Sequence, residues 1–307
     1  IMKKIRIKHT DLEVSNLVMG CMRIGELSEK ELEELTETYL SEGVNFFDHA
    51  DIYGGGACET AFGKLLKKKP ELRGQIYLQS KCGIRQGFYD FSRDYILESV
   101  DGILKRLNTE YLDVLLLHRP DALMEPEEVA EAFDRLEQSG KVRYFGVSNQ
   151  NPMQMELLQH TVRQKLIVDQ LQMSIVHTPA IDSGMAVNMA IPQGVCREGS
   201  IMEYSRLKGI TLQAWSPFQK GMFEGVFLND RERYGKLNEK IEELAEKYGV
   251  TNTAIAVAWL TRHPADMQVI LGTTKPSRVR EAAKGSELPL TRQEWYGLYQ
   301  AAGNMIP

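Results

Sequence analysis

The sequence predicts a closed (β/α)8 barrel, and three observations carry that prediction. Eight short apolar runs alternate with amphipathic stretches of helical spacing along nearly the whole chain, with no long linker. Gly43, Gly140 and Gly209 each follow a helical stretch and precede an apolar run, where a helix end needs a left-handed residue. Asp48, Tyr53, Lys81 and His118 stand at or just past the C-terminal ends of successive apolar runs. That end of such a barrel is where active sites are built.

In chain order, Lys4 to Ile7 and Leu12 to Val14 flank His9-Thr10-Asp11 and read as an N-terminal β-hairpin lying over the barrel floor. The eight barrel strands are expected at Leu17 to Met19, Val44 to Phe47, Ile76 to Ser80, Leu112 to Leu117, Arg143 to Val147, Ile167 to Leu171, Thr211 to Trp215 and Gln268 to Leu271. Helix starts are marked by Ser28 three residues before Glu31, by Pro126 before Glu127, and by Asn151 before Pro152. Gly54-Gly55-Gly56 reads as a flexible turn. The polar runs Ser174 to Glu198 and Gln219 to Lys236 are expected to be extended loops on the top face, where barrels keep specificity. The last helical stretch ends close to Pro307. All of this fits one domain spanning residues 1–307.

Composition narrows the function. The chain has 307 residues, 43% apolar and 26% charged, as in a globular protein with a sizeable core. A net charge of −5 and a pI near 5.8 give no electrostatic reason to bind nucleic acid or an anionic membrane. Lys67-Lys68-Lys69 reads as a solvated helix end. No run approaches the roughly 20 apolar residues of a membrane span, and no apolar secretory segment opens the chain, so a cytoplasmic location is expected. Cys21, Cys58, Cys82 and Cys196 lack metal-ligand spacing and read as buried, reduced thiols; no metal site is expected.

A carboxylate, a phenol, an ammonium and an imidazole at one mouth make a proton-transfer site. Tyrosine, with a reference pKa of about 10, is a poor acid near neutrality unless its phenolate is stabilised. Lys81 beside Tyr53 lowers that value, and Asp48 holds the ammonium in place and charged. His118 donates a hydrogen bond that polarises a carbonyl oxygen. A hydride is the one thing no side chain supplies.

From about Leu17 to Gln300 the arrangement resembles the aldo-keto reductase superfamily, (β/α)8 enzymes that reduce aldehydes and ketones with a nicotinamide cofactor. Asp48-His49-Ala50-Asp51-Ile52-Tyr53-Gly54 matches the family's first motif. Ser80-Lys81-Cys82-Gly83 supplies its Lys, Leu116-Leu117-His118-Arg119-Pro120 its His, and the segment from Gly140 to Asn149 its Ser-Asn pair. The resemblance implies Tyr53 as general acid, Lys81 and Asp48 as its tuning pair, and His118 as carbonyl orienter. It also implies that Ser148, Asn149 and Gln170 hold the nicotinamide carboxamide and that Trp215 stacks on the ring in place of the usual Tyr. Ser216 and Phe218 then lie along the pyrophosphate, Thr273 and Arg278 contact the 2′-phosphate of NADPH, and Glu281 contacts the adenosine. Two positions depart from the pattern: Gly272 stands where many members carry a phosphate-binding Lys, and Ala282 where many carry an adenine-binding Asn. Charge favours NADPH over NADH, with Lys275 as a compensating cation.

The resulting expectation is an NADPH-dependent reductase of a small-molecule carbonyl substrate. Two other readings share the barrel: a cofactor-binding regulatory or redox-sensing subunit with little turnover, and a phosphate-binding hydrolase or isomerase that ignores nicotinamide. Arg23, just past the first strand, faces the same mouth and reads either as a contact to a substrate anion or as half of a salt bridge. Met22, Met124, Met173 and Met222 read as core or as pocket lining.

Overall fold

A computed structural model describes residues 2–221 and 224–306. The readings that fall on Met222 and Pro307 lie outside the described residues. Strands β1 (Lys4–Arg6) and β2 (Glu13–Ser15) form the expected antiparallel hairpin, with Ile5 opposite Val14. The chain then runs through β3 (Leu17–Gly20), α1 (Glu29–Ser41), β4 (Phe46–Asp48), α2 (Ala57–Lys68) and β5 (Tyr77–Cys82). After the two-residue strands β6 (Ile84–Arg85) and β7 (Phe88–Tyr89) come α3 (Arg93–Leu107), β8 (Leu112–Leu117), α4 (Pro126–Gln138), β9 (Val142–Ser148), α5 (Pro152–Thr161) and β10 (Leu166–Gln172). Helices α6 (Pro179–Met185) and α7 (Ile201–Lys208) lead to β11 (Thr211–Trp215), α8 (Arg231–Tyr248), α9 (Asn252–Thr261), β12 (Gln268–Leu271), α10 (Pro276–Ala283) and α11 (Arg292–Ala301).

Strands β3, β4, β5, β8, β9, β10, β11 and β12 pair in parallel and close on themselves, with Val269 of β12 opposite Leu17 of β3. All eight expected strands are present. The helix starts also follow the sequence. Ser28 accepts from the Glu31 amide while Glu31 reaches back to the Ser28 amide, and Asn151 and Gln154 do the same at α5. Gly43, Gly140 and Gly209 take φ of 86°, 72° and 71°, as their helix ends require.

The apolar interior has two shells. Inside the barrel, Val18, Phe46, Val114, Leu116, Val168 and Ile270 meet Ile5, Ile7, Leu12 and Val14 of the hairpin segment, so the hairpin plugs the floor. Outside it, the helices bury a larger shell against the strands. Each fully buried aliphatic side chain contributes about 1.5–3 kcal/mol. Helix α9 is apolar on every side from Ala254 to Leu260 and is correspondingly buried all round. Trp259 of α9 stacks on Trp295 of α11 at 4.7 Å, and each indole N–H donates to the other residue's carbonyl.

Several details differ from the sequence reading. The β6–β7 hairpin stands beside the mouth where no strand was expected. Ser174 to Glu198 contains α6 rather than loop alone. Gly54, Gly55 and Gly56 form a tight turn, with φ of 58°, 63° and 94°, that feeds directly into α2. Cys196 is exposed, while Cys21, Cys58 and Cys82 are buried as expected. Lys68 and Lys69 are not simply solvated, since both pair with Glu33 of α1. Among the described residues no helix is long and apolar enough to cross a membrane, and no cluster could hold a metal ion.

Candidate active site

Alternate residues of a strand face the barrel interior. On β4 this sequence places Phe46 and then Asp48 inside, and on β5 it places Gln79 and then Lys81. Asp48 and Lys81 therefore reach the mouth together. The Lys81 side chain is fully buried, and its ammonium donates to Asp48 Oδ2 at 2.8 Å, to the His49 carbonyl at 2.8 Å and to the Tyr53 hydroxyl at 2.9 Å. Three partners use all three N–H groups. Removing one partner of such a pair and leaving the other buried costs about 3–5 kcal/mol.

The electrostatics partly correct the expectation for Tyr53. Burial pushes the phenol up, and the Asp48 carboxylate adds to that rise. Lys81 pulls it down, but the net direction is upward rather than downward. For Lys81, burial alone favours the neutral amine, yet Asp48 and Tyr53 together hold its pKa above the ordinary value. His118 follows β8, its amide held by the Cys82 carbonyl at 2.9 Å, and its ring meets that of Tyr53 edge-on at 6.1 Å between centroids. Burial, then Lys81, then Arg119 hold its imidazole well below the usual range, so it is neutral at neutral pH.

On the other arc of the mouth, Ser148 Oγ donates to the Gln170 carbonyl at 2.8 Å, and Asn149 Nδ2 donates to Ser148 Oγ at 2.8 Å. The Trp215 indole N–H donates to Asn149 Oδ1 at 3.2 Å. Asn149 and Ser216 both lie in the left-handed region, with φ of 56° and 50°, a conformation unusual for Ser. Beneath this turn, Asp169 of β10 points outward and is fully buried, with no hydrogen-bond partner for either oxygen among the described residues. Burial pushes its carboxyl up to about 8, against an opposing pull from the amides of Gln150 and Asn149.

Thr273 Oγ1 accepts from the Lys275 amide at 3.1 Å, in the connection from β12 to α10. Arg278 is exposed in the first turn of α10, and neither it nor Glu281 has a side-chain partner among the described residues. Phe218 packs at the edge of the outer core. Arg23 is exposed after β3, likewise without an ion pair or hydrogen bond among the described residues, so the salt-bridge reading has no partner there. The structure thus joins Asp48, Lys81 and Tyr53, with His118 alongside, and joins Ser148, Asn149, Gln170 and Trp215, with Gln170 Nε2 donating to Asp48 Oδ1 at 3.1 Å as the link between the two groups. It leaves Thr273, Arg278, Glu281 and Arg23 unlinked to either group.

Two residues escaped the sequence reading. Gln79 donates to Asp48 Oδ1 at 2.7 Å, and Gln213 bonds to both Gln79 and Gln170. Their signal was spacing: each stands two residues before a site residue on the same strand. A crevice of about 610 Å³, lined partly by Arg6, Lys8 and Arg206, opens on the floor and contains none of the site residues.

Comparison with known proteins agrees with this fold. The model of the Aldo/keto reductase family matches residues 16–301. Oxidoreductase YdhF of Escherichia coli is 36% identical over 98% of both chains. A 6-dehydroglucose reductase of Agrobacterium fabrum is 35% identical over 95% of both. The crystal structure of a thermostable aldo-keto reductase in complex with the inhibitor epalrestat superposes with a TM-score of 0.78 at 26% identity, covering 98% of this chain and 100% of that one. With a barrel of this topology and a family match over nearly its whole length, the chain belongs to the aldo/keto reductase family of NAD(P)H-dependent oxidoreductases.

Proposed function

We propose that this chain reduces the carbonyl group of a small aldehyde or ketone with NADPH, Tyr53 delivering the proton to the carbonyl oxygen. One observation carries the reading. The three N–H groups of Lys81 are committed to Asp48, His49 and Tyr53, so the phenol oxygen accepts from Lys81 and keeps its own proton for a partner in the mouth. Burial keeps the phenol protonated until transfer. Once the proton has left, the phenolate lies 2.9 Å from an ammonium that stabilises it. Neutral His118 donates its ring N–H to the same carbonyl oxygen and holds it toward Tyr53.

NADPH, when bound, supplies the hydride. The residues present fit it. The Nε2 of Gln170 is used by Asp48 and Gln213, which leaves Oε1 to accept from the carboxamide N–H, while Asn149 Nδ2 has a second N–H to donate. Trp215 offers a flat face to the ring, with Ser216 and Phe218 along the pyrophosphate. Arg278, without a side-chain partner among the described residues and placed at a helix start, matches the 2′-phosphate together with Thr273, and Glu281 takes the adenosine. Arg23 is free to meet an anionic group of the substrate.

Loss of NADPH is the assay, run against aldehydes, α-dicarbonyls, keto acids, aromatic ketones and, given the Agrobacterium relative, 6-dehydroglucose. Turnover of at least one class is the expected result. Tight NADPH binding with no carbonyl consumed points to a sensor subunit, and no NADPH binding overturns the nicotinamide reading.

A further inference from the structure

We propose that Gln213 is a positioning residue for Asp48, the middle link of a chain of side-chain amides that crosses the barrel from mouth to floor. The inference rests on the role given to Asp48 above.

Gln213 lies on β11 two residues before Trp215 and is fully buried. Asp48 Oδ1 accepts from Gln79 Nε2 at 2.7 Å and from Gln170 Nε2 at 3.1 Å. The second N–H of each amide goes to Gln213 Oε1, at 2.8 and 3.0 Å. Gln213 Nε2 donates in turn to Gln79 Oε1 at 3.2 Å and Gln268 Oε1 at 2.8 Å, and Gln268 Nε2 donates to the Ser15 carbonyl at 2.9 Å.

The direction of this chain is set by its ends. A carboxylate only accepts, so Gln79 and Gln170 must turn their Nε2 toward Asp48. Each then has one N–H left over, and only an oxygen at Gln213 satisfies both. That choice sends Gln213 Nε2 toward the Gln268 oxygen, and the chain ends on a backbone carbonyl, again an acceptor. Flipping Gln213 alone sets its N–H groups against those of Gln79 and Gln170 and its oxygen against two oxygens. Gln213 thereby fixes which ends of Gln79 and Gln170 face Asp48. With Oδ1 held by two donors, Oδ2 remains turned to Lys81.

Gln213 touches neither the mouth nor any group proposed to transfer a proton, so a packing role must be separated from a positioning one. A cycle of Asp48→Asn and Gln213→Met on kcat/KM does so, because Met keeps the length of the side chain and removes its donor and acceptors. The expected result is a loss of about tenfold for Gln213→Met in the wild-type background, from several weakened buried hydrogen bonds. In the Asp48→Asn background the same change should matter by less than about twofold. Equal losses in both backgrounds overturn the inference and leave Gln213 as barrel packing. If Asp48→Asn itself leaves kcat/KM within about twofold of wild type, the role of Asp48 falls and this inference with it. Should Gln213→Met fail to fold, Gln268→Met, one link further from Asp48, decides: a smaller loss that vanishes with Asp48→Asn supports the chain, and a persistent loss overturns it.

Discussion

The two arcs of the barrel mouth are built on opposite terms. Around β4, β5 and β8, the charges of Asp48 and Lys81 are buried and matched within the chain, and the Tyr53 hydroxyl already holds an internal partner. Around β9 to β12 and α10, the backbone is held in left-handed turns at Asn149 and Ser216, and Arg278 and Glu281 have no internal side-chain partner among the described residues. A group that stabilises charge during a reaction gains from being fixed beforehand in a water-poor site. A group that must bind and release a large anion gains from leaving its charge for the ligand to satisfy. One arc is finished before anything binds, and the other, on the function proposed above, is completed by the cofactor.

The sharpest way to break this contrast is Tyr53→Phe, which removes the proton of the finished arc and keeps the ring. Turnover is expected to fall by about 10²–10⁴-fold while NADPH affinity barely changes. A variant within threefold of wild type, with the chemical step rate-limiting, denies the first arc its role.

Arg278→Ala probes the second arc. Loss of a charge-assisted hydrogen bond to phosphate costs about 1.5–3 kcal/mol, roughly ten- to over a hundredfold in NADPH affinity. NADH binding should change little. Equal losses for both cofactors, titrated at one ionic strength, contradict a 2′-phosphate contact.

Asp169→Asn tests whether the second arc carries a cost. The folded pKa, about 8, lies above the ordinary carboxylate value, so between roughly pH 4 and that value the native state holds a proton that the unfolded chain releases. The wild type therefore loses stability as pH rises through that window, and Asn does not. The stability advantage of the variant should grow by about 1.4 kcal/mol per pH unit. Urea midpoints at two pH values inside the window measure it, and a difference that ignores pH means that Asp169 is not a buried neutral acid.

The smallest effect expected is for Arg23→Met, which should raise the KM for a keto acid several-fold and leave an uncharged aldehyde of similar size nearly unchanged. A parallel fall in kcat/KM for both substrates assigns Arg23 to cofactor placement or to structure.

What was legible in the sequence followed from periodicity and punctuation. The eight strands are apolar runs bounded by glycines and caps, and Asp48 and Lys81 announce themselves as charges at the ends of such runs. Gln213 was hidden by the same rule. In Thr-Leu-Gln-Ala-Trp it looks like the solvent-facing member of an alternating strand, yet in a closed barrel the face opposite the helices is also interior. The β6–β7 hairpin was missed because two residues on each side of a Gln86-Gly87 turn are too few to show a period. The direction of the Tyr53 shift was missed because a residue list shows the neighbouring ammonium and not how deeply the phenol is buried.

The floor of the barrel also sets a timetable. The Lys3 amide donates to Ser286 Oγ and the Asn16 side chain to the Ser286 carbonyl, across 283 and 270 positions of chain, while Gln268 reaches Ser15 across 253. A ribosome adds about 5–20 residues per second. The strands carrying Asp48 and Lys81 therefore exist for roughly 10–40 s before β12 arrives to close the ring. Throughout that interval β3 has a bare edge where β12 will pair, and such an edge invites pairing with another chain. Among the earliest parts of the candidate active site to be synthesised, Asp48 is among the last to be locked, because the final bond of its amide chain waits for the ring to shut.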